Sequence, residues 1–161
     1  MVKGRSSDAP GALRMFLLGL VLLGILATAA ELILLEHTEE PAQWLPLALL
    51  GAGLVAAVAA GARPGPATLR AFQVLMAGFV LAGGLGLWFH YRGNVEFELE
   101  MYPGLKGLEL FRKSLSGATP ALAPGMMSHL GLLGLAFTYR HPDLGRKPRA
   151  TAHPETERSP S

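Results

Sequence analysis

Apolar residues in this chain come in long blocks separated by short polar stretches. Four blocks stand out, over about 13–35, 44–62, 71–90 and 119–139. A helix needs roughly 20 predominantly apolar residues to cross a hydrocarbon core of about 30 Å. Each block is long enough, so the pattern predicts an all-α polytopic membrane protein with four transmembrane helices within 12–139. Pro46 falls in the first turn of the second block, where its missing N–H is tolerated. Pro124 and Gly125 interrupt the fourth, leaving its start at either 119 or 125.

The first block allows two readings. Lys3, Arg5 and Arg14 followed by Met15–Leu26 and Ala27-Thr28-Ala29 match the basic region, apolar core and A-x-A site of a signal peptide. The apolar run resumes with Leu32-Ile33-Leu34-Leu35, however, and reaches spanning length, which favours an uncleaved helix.

Between the third and fourth blocks lies the one long polar segment, 91–118. Within it Glu96, Glu98 and Glu100 alternate with Phe97, Leu99 and Met101, which is strand period. Pro103-Gly104 ends that stretch. Leu105, Leu108, Phe111 and Leu115 then recur at helical spacing among Lys106, Glu109, Arg112 and Lys113. This predicts a short amphipathic helix over 104–116, lying in the membrane interface. The polar ends, 1–11 and 140–161, are rich in small, charged and proline residues and read as disordered tails.

Charge supplies the orientation. Ten basic residues (Lys3, Arg5, Arg14, Arg63, Arg70, Arg140, Arg146, Lys147, Arg149 and Arg158) fall on one predicted side, and Arg92, Lys106, Arg112 and Lys113 on the other. By the positive-inside rule both termini are expected to be cytoplasmic, with 91–118 facing outward. The Ala/Gly/Leu-rich style suggests a bacterial chain of the plasma (inner) membrane. Charged residues make up 16% of the chain against about 25% in soluble domains. That deficit, with a net charge of only +2, argues for the lipid bilayer as the main partner and against nucleic acid.

Helices in lipid associate through small residues that let backbones approach. Ala52, Ala56 and Ala60, with Gly53 and Ala57 beside them, and Gly78, Ala82 and Gly86 each repeat at four-residue spacing. The expectation is a tight hairpin of the second and third helices.

Ionisable groups inside a membrane are costly, so each is a functional candidate. Glu31 lies about one turn inside the end of the first helix, and His129 lies within the fourth. Glu36, His37, Glu39, Glu40 and His90 cluster at the same boundary. Imidazole with carboxylate suits a divalent transition metal, so His129, Glu31, His90 and His37 are the candidate ligands. No other cofactor is implied. The chain has no cysteine, which removes disulfides and thiolate ligands, and it carries no phosphate loop, nucleophile elbow or zinc signature. An enzyme is therefore not expected. Two readings remain: a structural or accessory subunit that binds a membrane-protein partner or itself, and a small transporter or ion- and metal-handling protein using Glu31 and His129.

Overall fold

The computed structural model describes residues 9–36, 41–117 and 123–145. Five α-helices form it: α1 (Ala9–Leu34), α2 (Trp44–Ala62), α3 (Pro66–Met101), α4 (Gly107–Leu115) and α5 (Gly125–Thr138). Among the described residues there is no strand. α1, α2 and α3 are each long and apolar enough to cross a membrane, whereas α5, with 14 residues, spans only about 21 Å.

Specific contacts fix the arrangement. Gly61 of α2 faces Leu18 of α1, and Gly53 of α2 faces Phe79 and Met76 of α3. Gly131 and Gly134 of α5 lie against Met76 of α3, while Gly24 of α1 meets Leu130 of α5. Every neighbouring pair is antiparallel, which makes an up-and-down four-helix bundle with α2 and α5 on opposite corners. Its interior is continuous and apolar. Leu18, Val21, Ile25, Leu50, Ala57, Leu69, Phe72, Met76, Phe79, Leu130 and Phe137 are all buried. Phe72 and Phe137 meet edge-to-face with ring centroids 5.7 Å apart.

The outside of the bundle is apolar as well. Phe16, Leu23, Val55, Val74 and Leu81 are exposed, the last two at 73% and 68%. Extensive exposed apolar surface of this kind marks contact with a membrane or another protein. With the three long helices, it points to a membrane location.

Several expectations change. The predicted small-residue seam between α2 and α3 is only partly used: Gly53, Ala57 and Ala60 are buried, but Ala52 is exposed and nothing lies within reach of Gly78. The glycines that abut the backbone of a neighbouring helix join α3 to α5 instead. A Cβ on Gly131 would sit 2.5 Å from the Met76 carbonyl oxygen, and one on Gly83 would sit 2.6 Å from the Ser128 amide nitrogen.

α3 also does not stop near residue 90. The stretch with strand-like alternation continues it to Met101. Glu, Leu and Met are strong helix formers, and Arg92 and Glu96 form an i,i+4 ion pair at 3.0 Å. The helix ends where Pro103 bars Tyr102 from helical geometry, and Tyr102 is extended at φ −138°. Trp88 and Trp44 mark one end of the bundle, so the dozen residues past Phe89 carry α3 about 18 Å beyond it.

The amphipathic helix is present as α4, but it packs back along this projection. Asn94 Nδ2 donates to the Ser114 carbonyl at 2.9 Å, and the Tyr91 and Phe111 rings lie 5.9 Å apart. A Cβ on Gly117 would press on the Asn94 side chain at 2.7 Å, so a glycine closes the seam. At the first predicted tail, α1 already begins at Ala9. In the last one, residues 142–145 form a 3-10 turn with Leu144 packed on the core. Residues 1–8 and 146–161 of the tails lie outside the described residues, as do 118–122 at the start of the predicted fourth span.

Candidate functional site

The antiparallel pairing sets depth along the bundle. Arg14 and Arg140 are level, since Arg14 Nη2 donates to the Arg140 carbonyl at 3.2 Å, and Gly24 is level with Leu130. His129 is therefore level with Ile25, six residues or about 9 Å along the axis from Glu31. Both side chains are exposed on the bundle surface. His129 Nδ1 lies 3.0 Å from the Gly125 carbonyl of its own helix. Glu31 and His129, both candidate ligands, therefore do not meet in the bundle.

His90 does not join them. It sits ten residues beyond Val80 on α3, and Val80 is the residue whose carbonyl accepts from Ser128 Oγ at 3.0 Å. That separates His90 from the level of His129 by about 15 Å. His37, Glu39 and Glu40 lie outside the described residues. Among the described residues no group of three or more His, Asp or Glu side chains converges on a common point.

Two polar clusters form instead, one at each end. At the basic end, Gln73 Nε2 donates to Thr138 Oγ1 at 3.2 Å, and that hydroxyl donates to the Leu135 carbonyl at 2.9 Å. Thr138 is fully buried. Beyond it Arg140 takes a left-handed conformation at φ +49°, which costs a non-glycine residue about 1–2 kcal/mol. The Arg140 carbonyl is held there by Arg14, and His141 N donates to the Thr138 carbonyl at 3.0 Å.

His141 is tucked against Phe137, with ring centroids 5.5 Å apart. The Asp143 amide donates to His141 Nδ1 at 3.3 Å, and Asp143 Oδ2 lies 3.7 Å from the same nitrogen. Burial pushes the His141 pKa below its ordinary value of 6.5. The Asp143 carboxylate opposes that shift and the Arg14 guanidinium adds to it.

The other cluster is the α3–α4 hairpin, whose seam is Asn94 and Ser114. Lys113 Nζ sits 4.1 Å above the Tyr102 ring, a cation–π contact. Ser114 packs inward, while Leu108, Phe111 and Leu115, the apolar face of α4, are exposed. An aromatic track joins that face to the bundle: Trp88 to Tyr91 at 6.5 Å, then Tyr91 to Phe111.

No protein-family model, curated protein or solved structure matches the chain.

Residue chemistry alone must therefore carry the reading. The sequence signalled part of the hairpin cluster, through the helical spacing of Leu105, Leu108, Phe111 and Leu115 among Lys106, Glu109, Arg112 and Lys113. It did not signal Asn94, because that residue fell in a stretch read as loop. Thr138, His141 and Asp143 were missed because their partners, Gln73, Phe137 and Arg14, are contacts that only the folded bundle creates.

Proposed function

We propose that this chain is a small integral membrane protein that serves as a structural or accessory subunit of a membrane complex. In this reading it crosses the plasma (inner) membrane four times, is not an enzyme, and keeps both termini on the cytoplasmic side. The observation that carries it is the closed apolar interior. Among the described residues, the buried polar side chains are Thr28, Asn94, Ser114 and Thr138. Asn94 and Ser114 lie in the projecting hairpin and Thr138 at the basic end, so Thr28 alone sits at mid-bundle. A conduit for ions or solutes needs intramembrane polar groups facing a cavity. Here the interior is filled by Phe72, Met76, Phe79 and Leu130.

Four spans are supported by the length of contact between α5 and α3. Thr138 pairs with Gln73 and Pro124 reaches Gly86, so α5 and its lead-in accompany α3 from the arginine end almost to Trp88. Arg14, Arg63, Arg70 and Arg140 all fall at one end of the bundle, which supports that end as cytoplasmic. The track from Trp88 to Phe111 supports α4 at the outer interface, with its apolar face beside the lipid headgroups.

The test is purification of the full chain in mild detergent through a C-terminal tag, beside reconstitution of the purified chain into vesicles. A stoichiometric membrane partner with no ion or metal flux is the expected outcome. Flux from the reconstituted chain alone, abolished by Glu31→Gln or His129→Ala, would replace this reading with the transporter one. Because the natural chain has no cysteine, single cysteines at Gly145 and Met101 report topology cleanly. Labelling from the same side would refute the proposed arrangement.

A further inference from the structure

We infer that the lipid-facing side of α5 around His129 docks a transmembrane helix of another membrane protein, one that presents a hydrogen-bond donor near mid-bilayer. The inference rests on the accessory-subunit reading and names its contact surface. Its starting point is depth. The neighbour of His129, Ser128, bonds the Val80 carbonyl. Val80 lies ten residues after Arg70 and eight before Trp88. His129 is therefore about 15 Å from the arginine level and about 12 Å from the tryptophan level. On α1 the same level is Ile25, eleven residues after Arg14.

At this depth the imidazole is exposed on the outside of the bundle. It lies on one face of α5 with Met126, Leu132 and Ala136, all exposed. Apart from His129, that face offers nothing polar to lipid.

The hydrogen bond to Gly125 decides what the face requires. A carbonyl oxygen only accepts, so His129 Nδ1 carries the proton and donates across 3.0 Å. A neutral imidazole has one N–H, and a charged one at this depth is costly. Among the described residues no donor reaches Nε2, which is left as an acceptor on the exposed wall of the bundle, where an unsatisfied polar group facing lipid is penalised. The complement is an O–H or N–H donor on a neighbouring helix.

A second copy of this chain fits poorly. Its own His129 would present another bare acceptor. At the same depth Thr28 is buried and Ser128 is committed to Val80, while Gln73 binds Thr138 at the basic end. Hydrogen-bond complementarity therefore selects a different protein.

The experiment uses the full chain in its native membrane. A photoreactive amino acid is placed at Met126 or Leu132, flanking His129, and at Val55 or Val74 as controls on other lipid-facing surfaces. Positions 126 and 132 are expected to give one protein adduct, mapping to a transmembrane segment with a hydroxyl or amide side chain. The controls are expected to yield lipid adducts. His129→Leu is expected to reduce the adduct about threefold to twentyfold, the range set by measured interhelical hydrogen bonds. His129→Gln, whose carbonyl still accepts, is expected to retain most of it. Replacing the partner's donor with alanine should reproduce the His129→Leu loss.

Adducts between copies of this chain would overturn the inference, as would lipid adducts at 126 and 132 or a yield indifferent to His129→Leu. If a partner still co-purifies in any of those cases, the accessory reading survives and only the surface is wrong. A chain that purifies alone and gives lipid adducts at every position defeats both.

Discussion

Replacing Gly131 with alanine adds one carbon at the tightest approach to backbone between α3 and α5. That carbon would stand 2.5 Å from the Met76 carbonyl oxygen and 2.9 Å from the Val80 amide nitrogen. Ordinary contact begins at 3.4 Å, so the shortfall at the carbonyl is 0.9 Å. Both obstacles are backbone, and neither can swing aside as a side chain can. α5 must move out, and a gap of 0.5–1 Å forfeits roughly a quarter to a half of each dispersion contact it opens. Alanine's better helix propensity returns at most about 1 kcal/mol. The expected net loss is about 1–3 kcal/mol, enough to shift the folded-to-unfolded ratio by a factor of about 5 or more. Gly83→Ala should behave similarly, because its carbon would meet Ser128 N at 2.6 Å and Pro124 O at 2.9 Å. Gly134→Ala should also destabilise, since its carbon would meet the buried Met76 and Phe72 side chains rather than open space. Gly78→Ala enters open space and should be neutral or slightly stabilising. The assay is reversible unfolding of the purified chain in mixed detergent and SDS micelles. A Gly131→Ala protein as stable as Gly78→Ala would refute the α3–α5 contact as described.

Three further outcomes follow from the polar clusters. Asn94→Ala removes the bond to the buried Ser114 carbonyl, a loss of about 1–3 kcal/mol confined to the hairpin; amide exchange over 107–117 should rise while exchange in α5 stays constant. Gln73→Leu removes the amide that bonds Thr138 Oγ1 and should cost on the order of 0.6–1.7 kcal/mol in the same unfolding assay; no loss would mean the amide contributes nothing to the bundle. His141 has a folded pKa below its ordinary 6.5, so the folded state favours the neutral ring. Its contribution to docking of the 142–145 turn is therefore present above pH 6.5 and is lost as pH falls through the lowered value. Amide exchange at His141 and Leu144, corrected for intrinsic rate, should rise on acidification in the natural protein and become less pH-dependent in His141→Gln.

The second span could be read directly from the sequence, and α2 occupies Trp44–Ala62. An unbroken apolar block between polar turns has few alternatives once it reaches bilayer length. Interfaces were less legible. Small residues recur every fourth position on several faces of α2 and α3, so spacing alone does not say which face meets a neighbour. The choice of Gly83 over Gly78 depends on α5, because Ser128 and Pro124 lie against Gly83 while nothing lies within reach of Gly78. The run of alternating glutamates misled for a related reason. Alternation is decisive where two faces meet different surroundings, but Glu96, Glu98 and Glu100 belong to a projecting helix exposed around much of its circumference. There residue propensity and Pro103 govern the outcome. Glu31 and His129 stand out in the sequence as ionisable residues within apolar blocks. Their depths could not be compared without knowing which residues of α1 and α5 stand side by side.

That comparison bears directly on function. An interior polar pair would have made the bundle's axis the place to look for activity. Instead the axis is closed by aromatic and aliphatic side chains, and glycine contacts bring α5 tightly against α3. A helix held this closely has little freedom to open a path without breaking backbone-limited contacts along most of its length. The polar investment lies elsewhere: at the arginine end, in the hairpin beyond Trp88, and at His129 on the outer wall. All three are surfaces that another molecule can reach from outside the bundle. On the proposal that the chain is an accessory subunit, these are the surfaces through which it would be attached, and they differ enough in depth and chemistry to be tested one at a time.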